Sequence, residues 1–225
     1  LGASLVANVG LLWACRELYR REQRVRLHPT WPVPAAVARV QERAQVLFLG
    51  DSRMQEWPDL PKDRFVTVNA GGGGETTAQI LLRAAATLDG VRPELVVLQA
   101  GVNDLKTIGV LPDQAKETEA QCLANLSALV ELCRERGARV VLVPIFPTSA
   151  PSLARRLVWS PEIEAARRRV NAGLRQRFAG AAGVALLDEQ LLSADSAADY
   201  RDTLHFGPQA YTKLEAATLR AIAAF

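Results

Sequence analysis

Histidine and cysteine are scarce. The 225 residues hold two His and three Cys, and that scarcity removes whole classes of chemistry. Cys122 and Cys133 fall in one helical pattern, about 16 Å apart along a helix, too far for a disulfide between them. Cys15 lies in an apolar N-terminal stretch. Neither a disulfide framework nor a zinc-ligand spacing is present, and all three thiols read as small buried hydrophobes. Strong charge is missing too. The net charge is +3, and residues 1–43, with seven Arg and three Glu, carry +4, which leaves the rest of the chain at −1. A body of that charge has no basic footprint for nucleic acid. There is no internal repeat. The Gly-Lys-Ser/Thr ending of a phosphate loop and the Gly-x-Ser-x-Gly of an α/β-hydrolase are both absent.

A long apolar run is the next absence. "LGASLVANVGLLWAC" (1–15) is uncharged, but as a helix it spans about 22 Å, short of the roughly 30 Å hydrocarbon core. "RELYRREQRVR" follows at once. Leu1 is not an initiator Met, so the stretch is read as a truncated membrane anchor, against a packing or amphipathic helix on a soluble cytoplasmic protein. The Arg run argues a cytoplasmic C-terminal flank, which preceding residues would be able to reverse, so the side of the membrane stays open. No small-residue cleavage site precedes the basic run, which argues against a signal peptide. "LHPTWPVP" (27–34) reads as a linker. The expected division is residues 1–26, an apolar helix with a basic flank, residues 27–44, a linker and lead-in helix, and residues 45–225, one domain.

What is present is alternation. "VLFLG" (46–50), "FVTV" (65–68), "LVVLQ" (95–99), "RVVLVP" (139–144) and "VALL" (184–187) suit parallel strands covered on both faces. Helical patterns lie near 75–88, 113–136, 161–178 and 208–222, and Gly137 ends the second. The order predicts a doubly wound, three-layer α/β/α domain on a five-stranded parallel sheet. Such sheets carry their sites beyond the carboxyl ends of the strands. Four polar clusters fall there: Gly-Asp-Ser after the first strand, "NAGGGGETT" (69–77) after the second, "AGVNDL" (100–105) after the third, and "DTLHF" (202–206) before the last helix.

Ser52 is either a nucleophile at a strand end or a polar residue opening a helix. A nucleophile needs a base, and the base an orienting group. His28 lies in the linker. His205, three residues after Asp202, is the remaining base, although surface turns and metal sites use the same spacing. Gly71 to Gly74 offer backbone N–H groups to an oxyanion, or form a flexible loop or phosphate cradle. Asn103 offers an amide donor, or is a turn residue. Asp104 reads as ordering its loop.

The ordered set "GDS", "GGETT", "GVND" and "DTLH" resembles the SGNH hydrolases, the GDSL esterase family, over roughly residues 45–222. "GGETT" and "RRRVNAGL" are similar to segments of its platelet-activating-factor acetylhydrolase-like branch. The resemblance implies Ser52 as nucleophile, His205 as base and Asp202 as its partner. It implies an oxyanion hole from the N–H groups of Ser52 and Gly74 with the Asn103 amide, and no cofactor. Asn171 matches a structural position. Arg53 departs from the family's Leu and either meets a charged substrate group or points to solvent. Gly71 to Gly73 replace more usual side chains.

The implied activity is hydrolysis of short-acyl carboxylic esters through an acyl-enzyme. The alternative is O-acyl transfer to an envelope sugar or lipid, which would suit an anchored enzyme. The substrate is then a small ester or an acylated glycan or lipid. The loop 144–160 is expected to wall the pocket, with Phe146 and Trp159 as substrate contacts.

Overall fold

The computed structural model describes residues 2–30, with side chains from Ala7 onward, and residues 44–225. Most of the expected linker and lead-in helix, residues 31–43, lies outside the described residues. Five strands, β1 (Val46–Gly50), β2 (Thr67–Gly71), β3 (Leu95–Gln99), β4 (Arg139–Leu142) and β5 (Val184–Leu186), form one sheet in the order β2-β1-β3-β4-β5. Every pairing is parallel. The helices are α1 (Gly2–Arg26), α2 (Ser52–Gln55), α3 (Thr77–Val91), α4 (Val102–Leu105), α5 (Ala115–Glu135), α6 (Leu153–Arg156), α7 (Pro161–Phe178) and α8 (Pro208–Ala223).

The layering follows from the period of two along each strand. In β1, Leu47 and Leu49 face one core with α3, α5 and α7, while Val46 and Phe48 face a second core with α8. β1 and β3 are buried at every position, so both faces must be apolar, as the unbroken runs required. Cys122 and Cys133 are buried in α5, whereas Cys15 is exposed, against the expectation that all three are covered.

Two boundaries move for local reasons. β2 starts at Thr67 rather than Phe65, because the N–H groups of Arg64 and Phe65 both bond Pro61 O in a turn. It then runs to Gly71, into the glycine-rich stretch. Helix α3 starts after Thr76, whose N–H bonds the Gln79 side chain at 2.8 Å in a capping box.

α1 gives the anchor expectation no support. Among the described residues no helix is long and apolar enough to cross a membrane. Its uncharged half ends at Cys15, and Val9, Leu11, Leu12 and Trp13 are exposed. Its second half lies on the body instead. Gln23 is buried, and the Gln79 amide donates to Arg26 O at 3.3 Å.

Candidate active site

The parallel register sets three strand ends side by side, with Gly50 opposite both Gly71 and Gln99. A Cβ at Gly50 would collide with the Gln99 carbonyl, so glycine lets the chain turn at once out of the sheet. Asp51 then caps α2, its Oδ1 accepting from Arg53 N–H at 2.9 Å. Ser52 is thus the first residue of a helix and the residue delivered by a strand end, both at once. Its N–H, among those a helix start leaves unpaired, has no acceptor among the described residues.

Arg53 is neither a substrate contact nor a solvent-facing side chain. It is completely buried. Its guanidinium donates to the carbonyls of Leu204 at 2.7 Å, Phe146 at 3.0 Å and Pro147 at 3.2 Å, and lies 4.4 Å from the Phe206 ring centroid. The planar fork satisfies three backbone acceptors that converge from two loops. It thereby fastens the Ser52 turn to the segment that carries His205.

That segment brings the second cluster to the first. His205 Nδ1 lies 2.8 Å from Asp202 Oδ2, and Nε2 lies 3.2 Å from Ser52 Oγ. Asp202 Oδ1 accepts from the N–H groups of Leu204 at 2.7 Å and His205 at 2.9 Å. Partial burial works against the Asp202 charge, but those two N–H groups and the imidazole outweigh it and push the carboxyl down to about 2. Asp202 therefore stays ionised across the working range and can hold the imidazole in one tautomer.

The glycine run is shaped by close approach on one side and backbone sign on the other. A Cβ at Gly71 would enter the Gln55 backbone. Gly74 has φ +78°, a left-handed conformation that side chains rarely adopt. The Gly74 N–H has no acceptor among the described residues. Behind the loop, Glu75 is buried against Arg83, with Nε to Oε1 at 2.8 Å, and Arg83 also donates to Ala70 O at 2.8 Å.

Asn103 is held by its neighbours. Nδ2 donates to Glu75 O at 3.0 Å, and Oδ1 accepts from Lys106 Nζ at 2.6 Å. Asp104 faces away and accepts from the Thr77 N–H at 2.9 Å and the Thr77 hydroxyl at 2.6 Å. Burial pushes its carboxyl up to about 6 against those two donors. It orders its loop, as expected. Asn171 does the same after β4, bonding both backbone groups of Ile145 at 3.0 Å.

A second expected substrate contact belongs elsewhere. Phe146 is fully buried, its ring 6.0 Å from that of Phe206 in the second core. Trp159 is partly buried against the first core. Within the same loop Leu153 and Leu157 stay exposed. The metal reading of Asp202 and His205 finds no support either: among the described residues no three His, Cys, Asp or Glu side chains group to hold an ion. Lys106 and the Glu75–Arg83 pair were not anticipated. Lys106 had a signal, its i,i+3 spacing from Asn103, whereas Glu75 and Arg83 share no short-range pattern.

The family model for the GDSL-like lipase/acylhydrolase family matches residues 42–213. The chain belongs to that family. An arylesterase from Vibrio mimicus is 28% identical over 120 residues, 47% of this chain and 56% of that protein. The chain thus spans about half the length of the curated relative it matches. A GDSL-like lipase from Bacteroides thetaiotaomicron superposes with TM-score 0.63 at 20% identity, covering 93% of this chain and 97% of that one. A platelet-activating-factor protein from Streptococcus pneumoniae gives TM-score 0.64 at 19% identity, covering 98% of both chains. At such identities the likeness is one of fold, and it extends over nearly the whole chain.

Proposed function

We propose that this GDSL-like acylhydrolase cleaves short-acyl carboxylic esters through an acyl-enzyme on Ser52, with residues 45–225 as the working domain. The observation that carries the reading is the pair of hydrogen bonds through His205, one to Asp202 and one to Ser52. Ser52 Oγ attacks the ester carbonyl carbon while His205 Nε2 takes its proton. Asp202 accepts a hydrogen bond from Nδ1–H and, remaining ionised, stabilises the imidazolium. The tetrahedral oxyanion accepts from the N–H groups of Ser52 and Gly74 and from the second Asn103 Nδ2–H. The C–O bond breaks and His205 returns the proton to the leaving alcohol. Water then attacks the acyl-enzyme by the same route, releasing acid and free Ser52.

The short-acyl preference is supported at one position of the loop: Phe146 packs into the second core and does not line an acyl channel, whereas Leu153 and Leu157 stay exposed. Aryl esters of rising acyl length, assayed in water without an added alcohol acceptor, test both parts. Acetate and butyrate esters should turn over fastest, and Ser52→Ala should abolish turnover. Faster turnover of long-chain esters overturns the preference, and acyl release only with an added sugar or alcohol makes the enzyme a transferase.

A further inference from the structure

Among the described residues, Lys106 is a cation with no salt-bridge partner. It follows α4 on the first turn after Asn103 and is half-buried. Its Nζ makes one hydrogen bond among the described residues, to Asn103 Oδ1 at 2.6 Å. No carboxylate oxygen lies within 4.0 Å of it among those residues. The charged groups that face it are Arg26 at the end of α1, Arg155 in α6, Asp51 before α2 and Asp104 in α4. Two of these are cations, so the surroundings do not neutralise it. Taking such a charge from water is unfavourable unless something else is gained.

The gain lies in the partner it chose. An amide has two faces, and a side chain such as Asn103 presents oxygen or nitrogen to the same place with little difference in shape. Lys106 decides between them, because an ammonium group only donates. It claims Oδ1, Glu75 O claims one Nδ2 hydrogen, and the second hydrogen is left to point elsewhere. A charged donor on Oδ1 also polarises the amide, which strengthens the remaining N–H as a donor.

We infer that Lys106 is a positioning residue that turns and polarises the Asn103 amide so that its free N–H meets the oxyanion. The inference rests on the role proposed for Asn103 above. The electrostatics agree with it. Burial, with Arg26 adding like charge, pushes the Lys106 ammonium down to about 8. Asp51 and Asp104, each pushed up to about 6 mainly by burial, are ionised before Lys106 starts to lose its proton. A decline in kcat with an apparent pKa near 8 then reports Lys106.

The test uses the whole chain and neutral p-nitrophenyl acetate, with Lys106→Met, Lys106→Arg, Asn103→Ala and the double variant Asn103→Ala/Lys106→Met. Lys106→Met should lower kcat about 10-fold or more with KM changed by less than about 2-fold. It should lose the alkaline decline. Lys106→Arg should recover most of kcat and move the decline to higher pH, because Arg stays charged. Once Asn103 is gone, Lys106→Met should cost less than about 2-fold further, since the two act as one unit. A full additional loss in the double variant overturns the inference, as does normal kcat in Lys106→Met. So does an effect confined to KM for p-nitrophenyl hemisuccinate, which would make Lys106 a binder of anionic substrates. Asn103→Ala with normal kcat would instead remove Asn103 from the proposed oxyanion hole, a failure visible apart from any result at Lys106.

Discussion

At the scale of single residues, two side chains separate chemistry from architecture. Asn103 has one amide hydrogen spent on Glu75 O and one free. As an oxyanion donor its contact strengthens when the carbonyl becomes tetrahedral, so Asn103→Ala should lower kcat by about 10²–10³, roughly 2.7–4 kcal/mol, and change KM little. Melting temperature measured on the same preparations should fall modestly, since Glu75 O loses its donor, so kcat is taken per folded molecule. A normal kcat in a destabilised protein would make Asn103 a turn residue. Arg53 should behave in the opposite way. Its guanidinium donates to three buried carbonyls; Arg53→Met leaves those of Leu204 and Phe146 unpaired at about 1–3 kcal/mol each, while Pro147 O keeps the Tyr200 hydroxyl at 2.7 Å. Urea denaturation should show a loss of at least about 2 kcal/mol. Arg53→Lys should not restore it, since an ammonium has no planar fork.

At the scale of elements, the loops after β2 and β3 are tied by Asp104 and Thr77, and the tie depends on pH. The Asp104 carboxyl is raised by burial from its ordinary 3.8 to about 6. Its folded value lies above its unfolded one, so its contribution is fully present below pH of about 4 and is lost as pH rises to about 6. Asp104→Asn does not titrate. The stability of the parent chain relative to Asp104→Asn should therefore fall across that window and level off above it, read from urea midpoints at several pH values. Asp51 titrates in the same range, but it is present in both chains and largely cancels. A difference that is flat with pH would mean that the Asp104 carboxyl titrates in the folded chain at its ordinary value.

The elements were largely legible in sequence, the ties between them much less so. β1, β3 and α7 fall where their apolar patterns put them, because burial on both faces or one leaves a period that survives in the chain. The clusters that hold Ser52, Asn103, Asp202 and His205 stood out in the sequence because each follows a strand or precedes a helix, where a polar residue has no packing reason to be. Arg53 and Phe146 were misread, because their roles lie in backbone carbonyls and rings distant in sequence. A buried Arg and a solvent-facing Arg look alike until the acceptors are placed.

At the scale of the whole molecule, no described residue of α1 belongs to either core cluster. A chain starting near Ala35 should therefore fold, with the same far-UV circular dichroism and a modestly lower melting temperature from exposing the surface under Gln23. It should hydrolyse aryl acetates. α1 does reach the site, since Arg26 Nη1 lies 3.7 Å from where a Gly74 Cβ would stand. The truncated chain is thus expected to differ more in KM than in kcat. Aggregation of that chain would make α1 part of the fold.

By itself the sequence determined the layer order, the parallel sheet and the residue types that meet at its carboxyl edge. Those are set by local periods and by strand ends, where each residue's neighbours in sequence are also its neighbours in space. The tertiary structure decided what each polar residue faces. Residues 151 or 153 positions apart, Arg53 with Leu204 and Ser52 with His205, meet only after the sheet has formed. The same is true of α1, whose apolar half suggested lipid and whose polar half packs on the protein. Contact between distant segments is settled by the sum of packing over the whole core, which no short stretch of sequence contains.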